Sequence, residues 1–194
     1  MADIVALYGS PRRKGNTATL LDRAVQGARD EGAAVERIFL RDLQISPCLE
    51  IYACTKDGEC AIQDDYQTVQ KKLLDAQGIM LASPIFFYTV SAHTKALMDR
   101  SQCLWVKKYW IDGVEFGKGT FRRKGLFVSA GASHGKRLFE GVLLTVKYFF
   151  DVFDAELWEK LLYRGLDQRH DAEKHPEYLE EAYTTGRRMA REIS

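Results

Sequence analysis

The sequence is short of several things at once. Its 194 residues include four cysteines, too few for a disulfide scaffold, so a reducing compartment is the default expectation. Neither sign of charge dominates: 28 Lys+Arg face 27 Asp+Glu, a net charge of +1, which argues against a general nucleic-acid binder. No apolar run is long enough for a membrane span. The longest nearly uncharged stretch, Gly78 to Thr94, is broken by Pro84 and turns polar in its second half. The start, Met-Ala-Asp-Ile-Val, carries an acid early and no basic segment, so it does not read as a signal peptide. No internal repeat, low-complexity tract or linker divides the chain, so residues 1–194 are expected to form a single domain. Apolar residues at 46% and charged residues at 28% give the ordinary globular balance, in a chain long enough to bury its own core. Composition thus points to a soluble cytoplasmic domain and leaves the chemistry open.

The elements alternate. Ile4 to Tyr8 is a continuous apolar run ending in Gly9-Ser10-Pro11, which predicts a buried strand and a turn. Asn16 and Thr17 read as N-cap residues of a helix carrying Leu20, Leu21, Ala24, Val25 and Ala28 up to Gly32. Ala34 to Leu40 alternates apolar and polar residues, as a strand near a sheet edge does. After a loop from Arg41 to Gln63, Asp64 is placed to cap a helix with Val69, Leu73, Leu74 and Ala76. Gly78 to Ala82 and Gly125 to Ala130 are further buried strands, with a helix over Ser91 to Asp99 and a polar stretch from Asp112 to Lys124 between them. Leu138 to Phe150 reads as a helix, Ala155 to Tyr163 as a strand with helical tint, and Glu177 to Ile193 as the closing helix. Such alternation predicts an α/β fold, with a parallel sheet covered on both faces. Ligands of such sheets sit beyond the carboxyl ends of the strands, here Gly9 to Thr17, Ser83 to Ser91 and Ser129 to His134.

The first of these loops, Gly9-Ser-Pro-Arg-Arg-Lys-Gly15-Asn-Thr17, is built for an anion. A helix N-terminus presents unpaired N–H groups and a positive dipole end. Ser10, Asn16 and Thr17 add side-chain donors, Arg12, Arg13 and Lys14 add charge, and Gly9 and Gly15 allow close approach or positive φ. It is neither a Walker A motif nor a dinucleotide fingerprint, since the Lys precedes Gly15 and no G-x-G-x-x-G occurs. ATP and Rossmann-type NAD binding are therefore disfavoured. The plainer reading is a solvated turn.

Gly9-Ser-Pro-Arg with Gly15-Asn-Thr17 resembles the phosphate loop of flavodoxin-like NAD(P)H-dependent FMN reductases. Ser83-Pro-Ile-Phe-Phe-Tyr-Thr-Val-Ser-Ala92, with Lys95 and Asp99-Arg100, resembles that family's second flavin loop, and the tail from Tyr163-Arg-Gly165 to Arg191 is also similar. The closest subgroup is the iron–sulfur flavoproteins. The resemblance implies a flavodoxin-like three-layer sandwich with a five-stranded parallel sheet in the order 2-1-3-4-5. It also implies FMN held by Ser10, Arg12, Gly15, Asn16 and Thr17 at the phosphate, by Pro84, Ile85, Phe86, Phe87, Tyr88 and Thr89 at the ring, and by Ser129, Ala130 and Gly131 beside it. Pro84, Phe86, Phe87 and Tyr88 suit a flat aromatic ring, and the backbone of Phe86 to Thr89 could meet its polar edge; the alternative is that one of Phe86 and Phe87 is core. His134 could orient a substrate or proton, or be a plain surface histidine.

The cysteine loop, Pro47-Cys48 through Ile51 and Cys54 to Cys60, is the awkward stretch. In the iron–sulfur flavoproteins such a loop resembles C-x₂-C-x₂-C with a fourth Cys after five residues, and a cubane cluster takes four thiolates. Cys48, Cys54 and Cys60 stand at the first, third and fourth positions, whereas Ile51 at the second cannot ligate iron. Three readings stay open: a cluster with a foreign fourth ligand, a lost cluster, or a zinc site with a poor match in spacing. Loss is favoured.

The resemblance implies an oxidoreductase taking hydride from NAD(P)H through FMN to a quinone, flavin or other small-molecule acceptor. It leaves two competing classes: an electron carrier between redox proteins, and a non-redox phosphate-ligand module. No nucleic-acid or membrane partner is expected. A homodimer or homotetramer is implied, with the aromatic segment Cys103 to Trp110 covering the flavin, meeting a subunit or packing internally. Arg12, Arg13 and Arg122 to Lys124 are candidates for a cofactor 2′-phosphate.

Overall fold

The computed structural model describes residues 2–118 and 120–193. Five strands, β1 (Ile4–Tyr8), β2 (Val35–Phe39), β3 (Gly78–Pro84), β4 (Arg123–Gly131) and β5 (Ala155–Arg164), form one parallel sheet in the order β2-β1-β3-β4-β5. This is the topology that the resemblance implies. Its strand order reverses between β1 and β3, which opens a crevice at their carboxyl ends.

The apolar runs are continuous because both faces of the sheet are covered. Along β1, Ile4, Ala6 and Tyr8 point into one core with α1 (Asn16–Asp30) and α6 (Pro176–Ile193). Val5 and Leu7 point the other way, towards α2 (Tyr66–Asp75), α3 (Ala92–Arg100) and α5 (Glu140–Asp151). The β4–β5 register slips between Gly125 and Leu126, leaving Trp158 without an opposite residue. The Lys124 ammonium and the Arg188 guanidinium both lie over the Trp158 ring.

The first and last helices touch backbone to backbone. A Cβ on Gly27 would stand 2.0 Å from the Tyr183 carbonyl oxygen, and one on Gly186 would stand 1.9 Å from that of Ala24. A mid-helix glycine weakens a helix by roughly 0.5–1 kcal/mol relative to alanine. Here the close crossing accounts for both glycines.

Several local readings change. Gly15, in extended conformation, takes the N-cap position of α1 without a side-chain cap, so Asn16 and Thr17 lie inside the helix. Asp65 takes the N-cap position of α2, while Asp64 Oδ1 accepts the Tyr66 N–H at 2.9 Å. After α3 the chain stays helical through α4 (Gln102–Trp105) and a π-helical turn, Val106–Ile111, which sequence periodicity did not reveal. Trp105 packs internally against Tyr109, Phe116 and Tyr148, while Trp110 is 62% exposed. Among the described residues no helix is long and apolar enough to cross a membrane.

Candidate functional site

The three loops expected at the strand ends meet in one cleft of about 210 Å³. Ser10, Pro11, Arg12, Gly15, Asn16 and Thr17 form one wall, Pro84, Ile85 and Phe86 another, and Ala130, Gly131 and Ala132 a third, with Leu166 and Asp167 closing the end. Ten of the expected cofactor-binding residues line it. Of the others, Phe87, Tyr88, Thr89 and Ser129 do not, and neither does His134.

The phosphate-loop wall is the start of α1. With no side-chain cap and no acid in its first turn, this helix end keeps its donors and its positive dipole for an external anion. Ser10 Oγ accepts the Arg12 N–H at 3.1 Å, which shapes the loop. Asn16 behaves differently from the sequence-based expectation. Its side chain donates to the Gln168 carbonyl at 3.0 Å and accepts the Ala172 N–H at 3.1 Å, so it ties the loop after β5 to the cleft. Arg13 pairs with Asp42 and lies over the Phe39 ring, while Arg12 reaches the cleft. The run Arg122 to Lys124 is at the opposite end of the sheet. There Arg123 donates to the Ala76 and Phe153 carbonyls and Lys124 pairs with Glu192, so neither is available to a cofactor in the cleft.

A buried polar network lies beneath the cleft and holds the strand ends in register. Ser129 Oγ donates to the Ser83 carbonyl at 2.8 Å, and Ser83 Oγ accepts the Ser91 N–H at 3.0 Å. Ser91 Oγ donates to the Gly9 carbonyl, lies 3.0 Å from Thr94 Oγ1 and accepts the Thr94 N–H as the cap of α3. Ser129 is therefore a support, fully buried, rather than a wall of the cleft. Gly9 has negative φ; its role is close packing, because a Cβ there would stand 2.0 Å from Thr94 Oγ1.

The ring loop is a two-residue turn. Phe86 and Thr89 exchange backbone hydrogen bonds at 2.9 and 3.0 Å, and Phe87 and Tyr88 between them have φ of 49° and 62°. Two-residue turns with both central residues left-handed ordinarily use Asn or Gly. Holding bulky residues there costs of order 1–3 kcal/mol each, and such strain concentrates at functional sites. Phe86 is 47% exposed and Phe87 is 100% exposed, so neither is a core residue. The turn consumes the Phe86 and Thr89 N–H groups, and among the described residues those of Phe87 and Tyr88 have no backbone partner.

His134 stands against Gly165, on an exposed rim that Arg164 buckles to β5 through the Gly135 and Lys136 carbonyls, at 3.2 Å each. Pro11 and Ala132 belong to the expected loops without having been singled out, whereas Leu166 and Asp167 are cleft residues outside every expected loop. The available signal for Leu166 and Asp167 was Gly165, a turn glycine directly after a strand.

The cysteine loop forms a separate cluster. Cys48 is exposed, Cys54 and Cys60 are half-buried, and Ile51 is 57% exposed. Burial pushes the Cys54 thiol up, and the neighbouring Cys48 and Cys60 add to the shift. Cys103 is buried, with its thiol pushed up to about 11 chiefly by burial. Burial also acts to raise the Asp64 carboxyl, but hydrogen bonds from the Ser46 and Tyr66 N–H groups and from Arg100 outweigh it and hold that group below the usual range. Among the described residues no three His, Cys, Asp or Glu side chains are gathered so as to hold a metal ion. With Ile51 at the second position, the loop itself brings three thiols, one fewer than a four-thiolate cluster takes.

Residues 2–154 match the family described as NADPH-dependent FMN reductase. An iron–sulfur flavoprotein of Methanocaldococcus jannaschii is 42% identical over 101 residues, 52% of each chain. The chain spans about half the length of the curated relatives it matches. Among solved structures, a flavone reductase aligns with TM-score 0.67 at 19% identity, over 98% of this chain and 62% of that one. A flavodoxin from the domain Archaea aligns with TM-score 0.56 at 12% identity, over 98% and 97%. Both share the fold.

Proposed function

This chain belongs to the NADPH-dependent FMN reductase family, and from that premise we propose that residues 1–194 act as one FMN-binding oxidoreductase domain that uses NAD(P)H to reduce a small-molecule acceptor such as a quinone or flavin. The observation that carries the proposal is the convergence of three strand-end loops on one cleft, with an uncapped helix start at one wall and an aromatic turn at another.

The residues fit FMN by their chemistry. The first-turn N–H groups of α1, with Ser10, Thr17 and Arg12, would hold the phosphate. Pro84, Ile85 and Phe86 offer apolar surface for the ring, and Ala130 and Gly131 flank it without bulk. The Phe87 and Tyr88 N–H groups are the donors left for the ring's polar edge. When bound, FMN supplies the hydride-accepting chemistry. The protein's part is to orient the ring and restrict water around it; among the described residues lining the cleft, Asp167 is the one carboxylate. Trp110 and Leu144, exposed apolar residues outside the cleft, are candidate contacts of the expected homo-oligomer.

The test is spectral. Purified protein is expected to show oxidised-flavin absorbance or to take up added FMN stoichiometrically, and anaerobic NAD(P)H is expected to bleach it, with colour returning on addition of a quinone. A colourless protein that binds no FMN would refute the proposal. Bound flavin that NAD(P)H leaves oxidised, but a redox protein reduces, would turn it into a carrier.

A further inference from the structure

The loop between Ser46 and Asp64 is gathered by a single side chain. Arg100, from the last turn of α3, is wholly buried, and its guanidinium hydrogen bonds run to this loop. Its Nε donates to Cys60 Sγ at 3.2 Å, Nη1 to the Ser46 carbonyl at 3.1 Å and to Asp64 Oδ2 at 2.6 Å, and Nη2 to the Ile62 carbonyl at 2.7 Å. The guanidinium also lies over the Tyr66 ring, 4.8 Å from its centre. The loop's ends close around the same group, since Asp64 Oδ2 accepts the Ser46 N–H at 2.9 Å. A planar fork of five donors suits this task because it meets acceptors from several directions at once in fixed geometry.

The thiols are arranged to match. Cys103 Sγ donates to the Arg100 carbonyl at 3.3 Å and lies 3.3 Å from Tyr66 Oη, a thiol engaged as a donor rather than a free thiolate. Cys60 already accepts from the guanidinium, Cys48 points to solvent, and Ile51 brings no donor. We propose that Arg100 closes the 46–64 loop in this protein with no metal centre, the guanidinium doing the gathering that four thiolates on iron would do. The loop is then a structural flank of α3, and its fold depends on Arg100 and Asp64 instead of on iron.

The experiment uses the full chain, purified anaerobically in its FMN-loaded form and incubated with ferrous iron, sulfide and thiol. After desalting, iron and acid-labile sulfide are expected far below one per chain. Trypsin cutting after Lys56 in the native protein is expected to be the same before and after treatment with a chelator. In Arg100→Gln the same cut is expected to accelerate about tenfold or more, since proteolysis tracks the open population of a loop. Should that variant fail to fold, Cys60→Ala removes one acceptor only and is expected to fold with wild-type iron content. Stoichiometric iron retained by the wild type, with or without sulfide, would overturn the proposal, as would a loop that chelation makes cleavable. FMN uptake read in the same samples tests the flavin proposal separately, and its failure would leave this one standing.

Discussion

The carbonyl oxygen of Tyr88, at the tip of the strained ring turn, rests directly over Gly141 in the first turn of α5. A Cβ added at Gly141 would stand 2.9 Å from it. The turn thus keeps its shape against a neighbouring helix that presents no side chain at the point of contact. Alanine there would favour the helix by roughly 0.5–1 kcal/mol while forcing the turn to move. Gly141→Ala is expected to leave the melting temperature unchanged or slightly raised and to weaken FMN binding about tenfold, near 1.4 kcal/mol. Calorimetry and a flavin titration on the same preparation check both halves.

Arg12 faces the cleft and, among the described residues, makes no ion pair. Its charge is therefore available to a phosphate. Hydrogen bonds to charged groups contribute about 1.5–3 kcal/mol, so Arg12→Ala should weaken FMN binding by at least about tenfold. Riboflavin, which has no phosphate, should bind the variant as it binds the wild type. Equal losses for both ligands would place Arg12 at the ring instead.

The α1–α6 crossing admits no methyl group. Gly186→Ala must push the helices apart, and overpacking of this sort typically costs 1–3 kcal/mol, occasionally more. A loss of about 3 kcal/mol in denaturant unfolding is expected, with FMN stoichiometry unchanged in the folded fraction because the crossing lies outside the cleft.

Glu31 at the end of α1 accepts from both Arg187 and Arg191 of α6, at 2.8 and 2.7 Å. These hydrogen bonds, Arg191's first, lower its carboxyl from the ordinary 4.5 to about 2. A carboxyl depressed in the folded state stabilises it above the unfolded value and loses that contribution as pH falls towards the folded one. Stability should therefore drop between about pH 4.5 and 2 through this residue. Glu31→Gln should remove that part of the acid sensitivity, and salt should shrink it in the wild type because the pair is exposed.

Much of this was legible locally. The strands at Ile4, Gly78 and Gly125 announce themselves as apolar runs ended by Gly, Ser or Pro, and the cleft lies where those runs end. The N-cap at Gly15 was misplaced because Asn16 has the chemistry of a cap, while its amide is engaged with Gln168 and Ala172, more than 150 residues on. Ser129 was expected at the ligand for a similar reason: a serine at a strand end suits a cleft wall and a buried support equally well. The helical stretch from Gln102 to Ile111 escaped because its π-helical turn breaks the 3.6-residue period on which such readings rest.

By itself the sequence determined the alternation of strands and helices, the three loops at the strand ends, and the lack of a thiol at the second position of the cysteine loop, Ile51, because these depend on residues close in the chain. Only the tertiary structure decided that Asn16 serves the β5 loop, that His134 stands on the rim, and that Arg100 reaches Cys60 across 40 residues. Such contacts follow from strand order and crossover geometry, which place side chains together without leaving any periodic trace along the chain.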